Sequence, residues 1–288
     1  MGYSFSNMES RRIAELLEPF LSQPVSVNAD TRAPGGSRAL DARGQSTSPT
    51  ESLKLPQPQG TRDAHKAPLA LSDRQLEQIS IYIDLLLRWN ARLNLTAVRK
   101  PEEIVTRHFG ESLFVARHLF PGTTAGAPIH TPVESRAEQG SQSANLVDLG
   151  SGAGFPGIPI KIWSPPTPVT LIESNQKKVA FLREVIRALT LTDINVFPAR
   201  AEAYPAASAP VVTVRAVERF EQVLPTAARL LLPGGTLALL IGHSQQSQAR
   251  SLLPSFVGSN PQPIPLSKNR VLVVATQVGE AERSAGLK

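Results

Sequence analysis

Residues Asn145–Gly157 read NLVDLGSGAGFPG, and the fold is decided there. Leu146–Leu149 has the apolar character of a short buried strand. Gly150, Gly152 and Gly154 then turn the chain, and an apolar helix follows to about Trp163. Residues without a Cβ accept positive φ and let a ligand approach the backbone closely. Strand, glycine loop and helix make one βα unit, and the pattern repeats downstream. Val169–Ile172 reads as a second strand. A helix from about Asn175 to Leu189 places Val179, Leu182, Val185, Ile186 and Leu189 on one face. Ile194–Phe197 and Val211–Val214 read as third and fourth strands. Ala227–Leu232 closes a helix, Pro233-Gly234-Gly235 turns, Thr236–Ile241 is a fifth strand and Val271–Thr276 a later one. Repeated βα units predict a doubly wound α/β domain over 144–276, its sheet mainly parallel with helices on both faces.

Upstream the pattern is helical. Residues 9–21 set Ile13, Leu16, Leu17 and Phe20 at helical spacing. Residues 22–67 lose that periodicity and fill with Ser, Pro, Gly, Gln, Arg and Thr, a composition that reads as a disordered insertion. A helical extension over 69–120 follows, with Ser72 as N-cap and Leu76, Ile79, Ile83, Leu86 and Leu87 as its buried stripe. Pro101 opens a further helical stretch. Residues 121–143 read as a second, low-complexity insertion and 277–288 as a flexible tail.

Composition narrows the chemistry. The 288 residues contain no cysteine, which excludes disulfides, thiolate metal sites and cysteine nucleophiles. No apolar run approaches the ~20 residues of a membrane span, so a cytoplasmic protein without membrane contact is expected. The five histidines lack metal-ligand spacing, and no metal is expected. A net charge of +6 favours a polyanionic partner without naming one.

The glycine loop admits two nucleoside cofactors. Gly152–Gly157 formally matches GxGxxG, the dinucleotide fingerprint. The glycines, however, begin at Gly150, with Asp148 two positions earlier, and an acid there sits poorly beside a pyrophosphate. Asp-x-Gly-x-Gly-x-Gly resembles the first motif of class I methyltransferases, whose ligand, S-adenosyl-L-methionine, carries a sulfonium instead. Leu232–Leu237, LPGGTL, resembles their turn before strand five. Glu173, at the end of the second strand, stands where an acid accepts hydrogen bonds from ribose hydroxyls in such folds; a solvated acid beside a glycine turn is the plainer alternative.

More specific marks lie outside that loop. Tyr82 to Trp89-Asn90, then Leu93-Asn94-Leu95-Thr96, resembles the WN…NLT signature of the bacterial ribosomal RNA small subunit methyltransferase G family, also called glucose-inhibited division protein B. Arg107–Ser112 (RHFGES) resembles its RHxxDS segment, and Gly154–Pro159 (GFPGIP) its proline-containing loop. Arg200-Ala201-Glu202 and Arg215-Ala216 match two further family positions. The resemblance covers 9–21, 69–120 and 144 to about 276. It implies methylation of N7 of a guanine in small-subunit (16S) ribosomal RNA, as naked RNA or in the particle, by a monomer using S-adenosyl-L-methionine. It places Gly150 and Phe155 in the cofactor loop, where the glycine turn itself sets Gly152 and Gly154, puts Ala201 and Glu202 at the adenine end, and Arg215 at the reaction centre, aligning cofactor or guanine without acting as a base. Asn94, Arg107 and His108 are either RNA or active-site contacts or braces between helices and core.

Two positions depart from the family pattern. Ile241-Gly242 stands where a Lys-Gly is common, so that cation is missing or comes from Lys268 or Arg270, and Glu111 replaces an Asp. A methyltransferase for small metabolites, and a ribosome-assembly factor that keeps the cofactor fold without catalysis, are the alternatives.

Overall fold

The computed structural model describes residues 8–22, 71–121, 145–215 and 219–278. The expected insertions at 22–67 and 121–143, and the tail, lie outside them apart from Ser22, Pro121, Gln277 and Val278. Five strands run parallel: β1 (Leu146–Leu149), β2 (Val169–Ile172), β3 (Ile194–Phe197), β4 (Ala209–Arg215) and β5 (Leu231–Gly242). Then come β6 (Phe256–Gly258), a two-residue β7 (Gln262–Pro263) and β8 (Arg270–Gln277), which runs antiparallel to β5 and to β6. The sheet order is β3-β2-β1-β4-β5-β8-β6. Connections leave β1 in one direction and β4 in the other, so a crevice opens at the carboxyl ends of these two strands. The reversed β8 also departs from the all-parallel 3-2-1-4-5-6 order of dinucleotide-binding sheets.

Before the sheet stand α1 (Ser10–Leu21), α2 (Asp73–Leu93), a single turn α3 (Pro101–Ile104), a π-helical segment Val105–Gly110 and α4 (Glu111–Leu119). Ser72 caps α2 in a reciprocal capping box with Gln75. Asn94 closes α2 in the left-handed conformation that an asparagine accepts more readily than most residues. Gly110 is required by packing: a Cβ there would stand 2.5 Å from the Phe20 ring of α1. Within the sheet region lie α5 (Gly157–Trp163), α6 (Gln176–Ala188), α7 (Phe220–Leu230) and α8 (Gln246–Leu252).

Successive strand residues face opposite sides of a sheet, and two separate cores result. On one side Leu146, Val211, Ala238 and Leu240 pack with α1, α2, α4, α5 and α6. On the other, Val147, Leu149, Val212, Val214, Leu237 and Leu239 pack with α7 and α8. Asp148, Thr213 and Arg215 share the parity of the first group, which turns all three toward the N-terminal helices. This parity determines the site.

The structure corrects some expected boundaries. β5 starts at Leu231, inside the segment expected to end a helix, and Leu231 pairs with Ala209 before the register shifts to Val211–Thr236. Pro233-Gly234-Gly235 is thus an irregularity within a strand, with Gly234 at φ +74°, instead of the turn before one. Leu87 on the expected α2 stripe is half-buried, while Tyr82 and Leu85 are buried.

Candidate active site

The glycine loop bends as its composition requires: Gly150, Gly152 and Gly154 all have positive φ. Their surroundings differ. A Cβ on Gly152 would meet nothing nearer than the Gly150 carbonyl at 3.8 Å, so this backbone faces open space. A Cβ on Gly154 would run into the Tyr82 hydroxyl and the Ile158 and Leu182 side chains, and one on Gly157 into Leu171 and Asp148. Gly152 therefore serves access, whereas Gly154 and Gly157 serve packing.

Asp148 holds the bend from beneath. It is 1% exposed. Its carboxylate accepts from Gly157 N–H at 3.2 Å and Thr213 Oγ at 2.8 Å, tying β1 to the start of α5 and to β4. Burial pushes this carboxyl up to about 6, against the hydrogen bonds that favour its ionised form. Asp148, expected from the motif to stand beside the ligand, instead points into the protein, where its work is mechanical. Glu173 follows β2 at the carboxyl edge of the sheet. It accepts from Gly152 N–H at 3.0 Å and from Asn175 N–H at 2.8 Å, bracing the open glycine from the neighbouring strand. A carboxylate has about four acceptor positions, so two remain for hydroxyl donors.

Phe155 is buried in an aromatic group. Its ring stacks with Tyr82 (5.2 Å between centroids, 3° between planes) and with His108 (4.8 Å, 24°), and meets Phe109 edge-on. The Tyr82 hydroxyl donates to the Ala153 carbonyl. The Arg215 guanidinium lies over the Phe155 ring, 5.7 Å from its centroid.

Arg215 ends β4, and one of its terminal nitrogens reaches the Arg107 carbonyl (2.6 Å), His108 Nδ1 (3.1 Å) and Glu111 Oε2 (3.0 Å). Arg270, the first residue of β8, bonds the same Glu111 oxygen at 2.7 Å. One carboxylate thus holds two guanidiniums that come from different strands. Burial pushes the Glu111 carboxyl up while the two arginines pull it back. His108 is held neutral, its pKa lowered to about 3 by burial and the nearby arginines. Since Nδ1 accepts from Arg215, the proton belongs on Nε2, which donates to Thr96 Oγ at 2.7 Å. Thr96 is itself pinned by Asn90, which bonds its backbone N–H and carbonyl, each at 2.9 Å. Arg215 Nε is buried without a partner, an atom free to serve a ligand.

Comparison with known proteins decides the family. The profile of rRNA small subunit methyltransferase G matches residues 75–125 and 133–261, more than half of the chain. The chain belongs to the rRNA small subunit methyltransferase G family. Proteins of that name from Xylella fastidiosa (37% identical over 65% of this chain and 78% of the relative), Chloroflexus aggregans (36%, 73% and 85%) and Xanthomonas campestris (40%, 56% and 66%) are among its relatives. Superposed on the solved ribosomal protein L11 methylase of Lactobacillus delbrueckii subsp. bulgaricus, 47% of this chain aligns with 70% of that one at 14% identity and a TM-score of 0.42.

Gly150, Gly152, Gly154, Phe155, Glu173 and Arg215 gather at the carboxyl ends of β1, β2 and β4. Ala201 and Glu202 sit in a short 3-10 turn (Ala201–Ala203) after β3. That turn is fastened by Arg229 of α7, which donates to the Ala201 and Tyr204 carbonyls at 2.7 and 3.1 Å. Asn94 stands apart as the exposed cap of α2, its Oδ1 accepting from Arg99 at 3.2 Å. Arg107 contributes its carbonyl to Arg215 and leaves its own guanidinium exposed. Ile241, where the family lysine is common, is 4% exposed in the second core, on the sheet face away from Arg215. Arg270, paired across the ladder with Gly242, brings a cation to the site instead. Tyr82, Asn90 and Thr96 belong to the signature-like segment but carry no role in the sequence reading, and Thr213 has no mark there at all, because each acts through a contact with another element.

Proposed function

We propose that this chain transfers a methyl group from S-adenosyl-L-methionine to N7 of a guanine in small-subunit (16S) ribosomal RNA, acting as a cytoplasmic monomer. Membership of an rRNA methyltransferase family supports the reaction class. The open backbone at Gly152, with Glu173 beside it and the unpartnered Arg215 Nε across the crevice, is the observation that carries the reading. These groups fit the cofactor: a Cβ-free bend for its body, a carboxylate with spare acceptor positions for ribose hydroxyls, and the Ala201–Glu202 turn for adenine. S-adenosyl-L-methionine supplies an electrophilic methyl group on sulfonium.

The protein's own groups suit an acceptor that needs no proton removed. Guanine N7 bears an in-plane lone pair and is unprotonated at neutral pH. None of the described titratable groups around the crevice is free to act as a base. His108 has both ring nitrogens engaged, Glu173 holds two backbone amides, Glu111 holds two arginines and Asp148 lies beneath the loop. Catalysis then rests on alignment and exclusion of water. Arg215, immobilised by three acceptors and an aromatic face, is the aligning cation. Among the described residues no group of side chains could hold a metal ion, and no helix is long and apolar enough to cross a membrane.

The test incubates the protein and labelled S-adenosyl-L-methionine with small ribosomal subunits lacking the modification. One guanine labelled at N7 is expected. Label found on protein, on small molecules or on an exocyclic amine overturns the reading.

A further inference from the structure

The segment between β7 and β8 breaks a local rule. Ser267 N–H donates to the Ile264 carbonyl at 3.1 Å, closing a β-turn with Pro265 second and Leu266 third. Proline holds φ negative at the second position and Leu266 has φ +57°, the type II arrangement. Its third position normally takes glycine or asparagine, and a bulky side chain there is strained. No packing compensates, because Leu266 is 71% exposed, more than any other large apolar side chain among the described residues. Strain kept where the fold gains nothing from it points to use of the side chain outside the fold.

The turn's position suggests that use. Ile264 N–H bonds the Arg270 carbonyl (3.1 Å), Arg270 N–H bonds Ser267 Oγ (3.2 Å), and His243 N–H bonds the Asn269 carbonyl (2.9 Å). Since β8 runs antiparallel to β5, these bonds fix the turn at the carboxyl edge of the sheet, the edge that carries the glycine loop and Arg215. An apolar tip therefore stands beside the exposed Lys268 and next to Arg270, whose guanidinium shares Glu111 with Arg215. An apolar tip among cations suits a nucleic acid, with the cations on phosphates and the tip between bases.

We propose that Leu266 is a wedge that enters the RNA stack beside the target guanine and occupies the space the base leaves when it turns into the crevice. This rests on the rRNA reading above and names the element that presents the base. The neighbouring lysine and arginine favour RNA over a ribosomal protein as what the tip meets.

The experiment compares wild type with Leu266→Gly and Leu266→Met in single-turnover methylation of unmodified small subunits. Melting curves and calorimetric binding of S-adenosylhomocysteine accompany each. Glycine relieves the turn, so Leu266→Gly is expected to melt no lower than wild type and bind the nucleoside equally, yet methylate roughly tenfold or more slowly. Leu266→Met, which keeps an apolar tip, is expected to stay within about threefold of wild type. A Leu266→p-benzoylphenylalanine variant, irradiated on the subunit, is expected to crosslink to nucleotides flanking the methylated guanine. Leu266→Gly acting at the wild-type rate, or a crosslink to a ribosomal protein, overturns the wedge. Failure of wild type to methylate the subunit overturns instead the function on which it rests.

Discussion

Two alanine substitutions, two residues apart, separate access from packing in the glycine loop. Gly152→Ala puts a methyl group into open space, its nearest neighbour the Gly150 carbonyl at 3.8 Å, so its cost to folding is that of an alanine at φ +57°. That is about 1–2 kcal/mol, a fall in melting temperature of roughly 2–8 °C for a domain of this size. Gly154→Ala bears the same kind of backbone cost at φ +88°, and its methyl would stand 2.6 Å from Ile158 Cδ1 and 3.1 Å from Leu182 Cδ2 as well as against the Tyr82 hydroxyl. Overpacking adds about 1–3 kcal/mol, for roughly 2–5 kcal/mol in all. The binding effects run the other way. The Gly152→Ala methyl fills the approach to the backbone and should weaken S-adenosylhomocysteine roughly 10–100-fold, or about 1.4–2.8 kcal/mol. Gly154→Ala, where it still folds, should bind within a few-fold of wild type. Urea melts and calorimetric titration of the same three preparations measure both quantities. If Gly152→Ala binds normally while Gly154→Ala melts like wild type, the division of labour within the loop is wrong.

Three further outcomes follow from the site. The His108 ring protonates only at about pH 3 in the fold, against about 6.5 in an unfolded chain. Between those values the unfolded chain holds more protons, so this contribution is complete above about pH 6.5 and falls as pH drops, by roughly 2 kcal/mol at pH 5. His108→Gln should lose less stability than wild type between pH 7.5 and 5, and equal losses in urea midpoints would count against the buried neutral ring. Glu111→Gln leaves the buried Arg215 without its counter-charge and should cost about 3–5 kcal/mol; an unchanged melting temperature refutes the shared ion pair. Asn90→Ala removes both bonds to the Thr96 backbone and should cost about 1–3 kcal/mol, with turnover per folded molecule falling as His108 loses its support; undiminished activity and stability together would contradict that chain of contacts.

The strands that line the crevice were legible because they are short apolar runs bounded by Gly, Pro or Asn: β1, β2 and β3 have the limits their residues predict. The start of β5 is hidden because Pro233-Gly234-Gly235 carries turn chemistry, and only its pairing with β4 reveals a strand continuing through it. The π-helical segment at Val105–Gly110 has no compositional mark that separates it from an α-helix. α8, β6 and β7 lie in polar, proline-bearing sequence with little periodicity. At the site, Gly152 and Glu173 are marked by their position just after a strand, which sequence shows well, and Arg215 by the resemblance to the family. Sequence marks Glu111 as a departure from the family pattern and Arg270 as one of two possible cations, but their meeting spans 159 positions and depends on how β8 returns. The sense in which Asp148 faces depends on strand parity against a core on each side, and motif spacing alone does not supply it.

The return of β8 also bears on how the chain is made. β8 lies between β5 and β6, so the apolar β5 keeps an unpaired rim at least until β8 has been made, some 35 residues after Gly242. At ordinary elongation rates that exposure lasts about 2–7 s, long enough for a nascent-chain chaperone or another sheet rim to engage it. Slowed translation over 243–277 should therefore lower the soluble yield while leaving the stability of the finished protein untouched.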